Sequence, residues 1–83
     1  MLVDIVEVKV QKDYVLYVRF EDGLEGEVDL SKIVPFKGVF LKLKDPKYFA
    51  TVRLNRELGT IVWDNGADLS PDYIYSLISK KAA

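Results

Sequence analysis

Val6, Val8 and Val10 alternate with Glu7, Lys9 and Gln11, the period of two expected of a strand with one wet face. After a short turn at Lys12-Asp13, Tyr14, Leu16, Val18 and Phe20 alternate with Val15, Tyr17 and Arg19 as a second strand. Val15 and Tyr17 make its other face less polar than open solvent favours, so a covering for that face is expected. Asp22-Gly23 is a hairpin signal, because glycine reaches positive φ without steric cost. Leu24, Gly26, Val28 and Leu30 then share one face of a third strand, with Glu25, Glu27 and Asp29 on the other. Three strands joined by tight turns predict an antiparallel meander. Gly26 leaves the inward face blank, which predicts a bulge or a large neighbour packed over it.

The alternation breaks from Ser31 to Pro35, where the proline disfavours helix for Val34. Phe36, Val39-Phe40 and Leu43 follow helical spacing, which predicts a short helix over residues 38–44 with those side chains as its apolar stripe. Asp45-Pro46 reads as a cap and first helical residue of one further turn, with Phe49 closing into the core. Val52 and Leu54 flank Arg53 in a fourth strand, residues 55–59 form a loop, and Thr60–Trp63 forms the fifth strand. Asn65-Gly66 turns the chain, and Ser70-Pro71 opens the last helix, with Asp72 at the positive end of its dipole. Leu69 and Ile74 take the positions of a hydrophobic staple, and Tyr73, Ile74, Leu77 and Ile78 form the stripe. The order β-β-β-α-β-β-α, with a three-stranded meander plus a second hairpin, a short middle helix and a C-terminal helix, predicts an α+β fold.

Eighty-three residues, 49% of them hydrophobic, suffice for a single domain with one core spanning residues 1–83. No apolar stretch approaches the roughly 20 residues that span a bilayer, and Asp4 interrupts the N-terminus where a signal peptide would be apolar. A cytoplasmic protein without a membrane partner is expected. The net charge of −1 is unevenly spread: residues 1–31 and 57–79 are acidic, whereas residues 32–56 hold seven bases and one acid, Asp45. Such asymmetry steers a charged partner, or lets opposite segments lie together in the fold or in a homo-oligomer.

The absence of histidine removes the usual base near neutral pH, and the absence of cysteine removes thiol nucleophiles and thiolate metal sites. No glycine-rich phosphate loop or nucleophile elbow is present. Asp64, Asp68 and Asp72 recur every four residues, but only Asp72 falls in a helix, so the spacing need not converge them. Asp64 is expected to support the Asn65-Gly66 turn and Asp68 to accept from amides near the helix start. The alternative for this pair is a hard-cation or acid–base site. Trp63, the single tryptophan, is either a core anchor or an interface anchor. Tyr17, Tyr73 and Tyr75 would extend an interface patch. For nucleic acid the one candidate is the basic segment 32–47, with Phe36, Phe40 and Tyr48 interleaved; a pI near 5.3 and acidic flanks weaken it.

The residues Glu27-Val28-Asp29-Leu30-Ser31, Phe40-Leu41-Lys42-Leu43, Phe49 and above all Gly59 through Pro71 resemble the small bacterial domain-of-unknown-function family 2442. The resemblance covers nearly the whole chain. It implies an α+β fold like the N-terminal domains of larger bacterial proteins that continue into a helix-turn-helix. Here the chain stops at Ala83, so that DNA-reading half is expected to be absent. Family members are often encoded beside another small protein, which implies an antitoxin-like role. The chain departs from the family pattern at Asp64, where a proline is common after the tryptophan, and at Ser70-Pro71, where acid-proline is usual. Both changes preserve turn and cap chemistry. No catalytic, cofactor-binding or metal residue is implied.

The expected role is therefore a non-catalytic protein-interaction module without a cofactor, acting on a protein partner or a second copy of the chain. The candidate interaction residues are Trp63, Asp64, Asn65, Asp68, Tyr75, Tyr17, Lys37, Lys42 and Lys44. The alternative is an auxiliary nucleic-acid-binding or regulatory domain that uses the lysines of 32–47.

Overall fold

The computed structural model describes residues 3–82. Strands β1 (Ile5–Val10), β2 (Val15–Phe20) and β3 (Glu25–Asp29) form an antiparallel sheet in sequence order. Asp13 turns β1 into β2 with φ 55°, a left-handed conformation that aspartate tolerates better than most residues. Pairing sets Val8 opposite Val18, Val10 opposite Leu16, and Leu16 opposite Val28, so one face carries the core side chains. The strict alternation expected of β1 fails at its start. A register shift between Ile5 and Glu7 places Ile5 opposite Phe20, and Ile5 rather than Val6 is buried. The extra residue of a bulge lets an odd position join Val8 and Val10 on the inner face.

The other face of the sheet is covered by the sheet's own long side chains. Arg19 Nε lies 3.1 Å from Glu7 Oε1, Lys9 Nζ lies 3.2 Å from Glu7 Oε2, and Lys9 also sits 5.9 Å from the Tyr17 ring centre. Lys9 lies directly across from Tyr17, so its stem covers part of that ring while its charge stays wet.

Asp29 ends β3 and caps a single turn, α1 (Leu30–Ile33), by accepting from the Ser31 amide. This turn was not expected, although Val34 is extended as the following proline requires. A 3-10 helix, Gly38–Lys44, and a second single turn, α2 (Pro46–Phe49), follow; the latter is capped by Asp45 as expected. Strands β4 (Arg53–Asn55) and β5 (Thr60–Val62) form the second hairpin, and α3 (Pro71–Ala82) closes the chain. The fold is α+β in the order read from the sequence, with α2 as the further turn expected at Asp45-Pro46 and α1 as an added single turn.

Ile5 N–H donates to Gly59 C=O at 2.9 Å and ties the second hairpin to β1. Helix α3 seats on the inner face where Gly26 makes room. A Cβ there would lie 2.8 Å from Ile78 Cγ2, so the blank position admits a large neighbour, not a bulge. Ile74 and Ile78 are fully buried, but Tyr73, expected in the same stripe, is 45% exposed. At about 100° per residue, the buried arc is centred between Ile74 and Ile78 and leaves Tyr73 on its flank. Tyr75 takes the opposite flank and stacks edge-on against Phe20 with ring centres 5.0 Å apart. A second run of rings, Phe36–Tyr14–Phe49–Trp63, has successive centres 4.9, 5.3 and 5.9 Å apart and joins the middle segment to the second hairpin.

Candidate interaction surface

The chain leaves β5 into the core. Trp63 is 1% exposed, and its indole N–H donates to the Phe49 carbonyl at 3.0 Å. Of its two expected roles the structure places it in the core, so Trp63 is no surface contact. Trp63 N–H donates to Ala67 C=O at 2.9 Å and Gly66 N–H to Trp63 C=O at 3.1 Å, closing a tight turn. Gly66 supplies the left-handed residue, φ 92°.

Asn65 is the polar centre of this turn. Its side-chain oxygen accepts from Ala67 N–H at 3.1 Å, its amide nitrogen donates to the Val39 carbonyl at 2.9 Å, and its backbone N–H donates to the Tyr48 hydroxyl at 2.9 Å. These bonds fasten the turn to the 3-10 helix and to α2. Asp64 pairs with Arg53 on β4, a partner the sequence reading did not assign. Both side chains are largely exposed, and such pairs contribute little. Asp68 lies opposite Val62 in a bridge, with its side chain exposed. Contrary to expectation it accepts from no amide among the described residues; the Ser70 hydroxyl caps α3 instead, accepting from Tyr73 N–H at 3.4 Å. No three acids gather as a metal-binding group among the described residues.

The segment behind Asn65 departs most from its expected form. The seven residues from Gly38, with φ 61°, to Lys44, just before Asp45-Pro46, close as a 3-10 helix. Side chains three apart then eclipse, so Phe40 and Leu43 form the inward row, and Val39–Lys42 and Leu41–Lys44 form two outward rows. Val39 is 46% and Leu41 57% exposed, so Val39 leaves the stripe an α-helix would have given it. Lys37, Lys42 and Lys44 are exposed beside them, and among the described residues none lies within ion-pair distance of a carboxylate. Lys42 sits 5.4 Å from the Tyr48 ring centre. The Tyr14 hydroxyl donates to the Lys44 carbonyl, and Asn65 holds the Val39 carbonyl. Both ends of the helix are thereby gripped from the core side while its outer rows stay free.

The remaining candidates lie elsewhere. Tyr17 sits on the outer sheet face, where its hydroxyl donates to Glu25 at 3.0 Å. Partial burial, and secondarily the Glu25 bond, raise its pKa. Tyr75 donates to Asp22 Oδ2 at 2.6 Å beyond the Phe20 end of β2, whereas Tyr14 and the lysine segment lie at the start of that strand. That bond raises the Tyr75 pKa and is the largest cause lowering that of Asp22. The structure thus joins Asn65 with Lys37, Lys42 and Lys44, and leaves Tyr17 and Tyr75 outside the patch. Val39 and Leu41 were missed as surface residues. Their signal was a glycine at one end and a capped proline at the other, too close together for a settled α-helix.

Among the described residues no helix is long and apolar enough to cross a membrane. No curated protein and no solved structure matches the chain. The family model described as Protein of unknown function (DUF2442) matches residues 5–80, from the buried start of β1 to the last turn of α3, and the chain belongs to that family.

Proposed function

We propose that the chain is a non-catalytic interaction module that docks an acidic protein partner on the outer face of the 3-10 helix, as an antitoxin-like protein holds a neighbour-encoded small protein. The observation that carries this reading is the pairing of exposed Val39 and Leu41 with exposed Lys37, Lys42 and Lys44 on a backbone gripped from behind. Apolar side chains in the middle of a patch supply contact area, and lysines around them select an acidic surface. A fixed backbone reduces the ordering cost of binding.

The test is affinity capture from the native host with the intact chain and its Leu41→Glu variant. The intact chain is expected to recover the neighbour-encoded protein, and Leu41→Glu to lose it while melting at the same temperature. Recovery of the chain alone would overturn the reading. The same exposed lysines, without an ion pair among the described residues, favour a second reading, nucleic-acid binding. Retention on heparin that weakens steeply with salt, and disappears when Lys37, Lys42 and Lys44 become Glu, would support that alternative.

A further inference from the structure

A groove of about 200 Å³ opens where α1 and the last turns of α3 flank the end of β3. Its origin is local. Gly26 draws Ile78 onto β3, while Asp29 ends the strand and turns the chain into α1, so the two helices part beyond Val28. Val28, Ile33 and Leu77 line the gap, and Asp29, Lys32 and Lys81 complete its walls. Leu77 and Lys81 stand four apart on one helix face.

The three charged groups differ in what they have left to offer. Asp29 Oδ1 accepts from both the Ser31 hydroxyl at 2.6 Å and the Ser31 amide at 3.0 Å, so that oxygen is committed to the α1 cap. The Ser31 hydroxyl bond is the main cause holding its pKa below the usual range, and the fields of Lys32 and Lys81 add to it. Lys32 and Lys81 are exposed, and among the described residues neither lies within ion-pair distance of a carboxylate. Among the described residues Lys81 Nζ donates to the Glu27 carbonyl, at 3.5 Å. Among the described residues the mouth therefore carries two cations against one carboxylate, a net positive charge above an apolar lining.

We propose that this groove binds a medium-chain carboxylate, with its apolar tail along Val28, Ile33 and Leu77 and its head group between Lys32 and Lys81. A methylene fills about the volume of a water in the liquid, about 30 Å³, so a tail of about six carbons occupies the space. The site shares no residue with the face of the 3-10 helix and stands or falls independently of it.

Titration of the full chain with butyrate, hexanoate, octanoate and uncharged hexanol, followed by amide NMR, tests the proposal. Saturable shifts are expected at residues 28–33 and 77–81. Affinity is expected to rise about fourfold per added methylene and to level off near hexanoate to octanoate. Hexanol is expected to bind more weakly than hexanoate. The Lys32→Gln, Lys81→Gln double variant, with both changes at exposed positions, is expected to bind hexanoate at least about fivefold more weakly while keeping its melting temperature and its affinity for hexanol. Shifts that map elsewhere or do not saturate, equal binding of hexanol and hexanoate, or an unchanged double variant would each overturn it.

Discussion

The Trp63–Pro71 turn and the 3-10 helix Gly38–Lys44 touch through Asn65, and they use their apolar side chains in opposite ways. In the turn the large side chain goes inward: Trp63 is buried, its indole N–H is satisfied by Phe49, and backbone bonds close around it. In the 3-10 helix only Leu43 is fully buried, and Val39 and Leu41 face solvent. Local backbone geometry makes the difference. A turn closed by Gly66 can aim one residue into the core, whereas a 3-10 helix of seven residues presents three rows and can bury only one of them. A run of apolar residues thus signals core or contact surface according to the backbone that carries it.

The largest effect that would break this comparison is expected at the turn. Trp63→Ala removes the most voluminous fully buried side chain and one of the two donors to the Phe49 carbonyl, which keeps Val52 N–H, and is expected to cost about 3–5 kcal/mol in urea denaturation. A loss below 1 kcal/mol would show that the tryptophan does not anchor the fold. Gly66→Val should cost about 1–3 kcal/mol through backbone strain alone, because a Cβ at that position meets nothing within 4 Å. An unchanged melting midpoint would remove the turn from the scaffold. Ser70→Ala is expected to cost about 1 kcal/mol or less, in keeping with the long 3.4 Å cap bond.

The smallest effect is electrostatic and reports on α3. The Asp22–Tyr75 bond needs an ionised carboxylate and a protonated phenol. Asp22 has a lowered pKa, so its contribution is present above the unfolded-state value near 3.8 and fades as pH falls through the folded one. Tyr75 has a raised pKa, so its contribution is complete below the unfolded-state value near 10.0 and fades as pH rises through the folded one. Tyr75→Phe is therefore expected to flatten the pH–stability profile slightly at both ends and to leave its middle almost unmoved. A profile unchanged at both ends would show that the bond makes no contribution.

Much of the fold was legible because side-chain period, turn glycines and caps agreed with one another. Gly26 announced its large neighbour by being blank on an inward face, and Asp45-Pro46 and Ser70-Pro71 marked helix starts that the structure confirms. The bulge at the start of β1 was not legible, because Val6, Val8 and Val10 keep perfect alternation and only tertiary pairing with Phe20 selects Ile5. The single turn α1 hid behind Pro35, although Asp29 two residues before Ser31 is the chemistry of a cap. At the candidate surface the lysines were legible from composition, and Asn65 from its turn. Val39 and Leu41 were not, since the spacing of Phe36, Val39, Phe40 and Leu43 fits an α-helical stripe equally well. Asp64 and Asp68 drew notice by their spacing, but the first meets Arg53 across the hairpin and the second faces solvent.

Leu41 and Leu43 stand two residues apart in the same 3-10 helix, one 57% exposed and the other fully buried. Urea denaturation of Leu41→Ala and Leu43→Ala, run side by side, tests most directly whether the helix is core on one row and contact surface on the others. Leu43→Ala is expected to cost about 2–5 kcal/mol, and Leu41→Ala to stay within about 0.5 kcal/mol of the parent. Equal losses at the two positions would place Leu41 in the core and contradict the docking face.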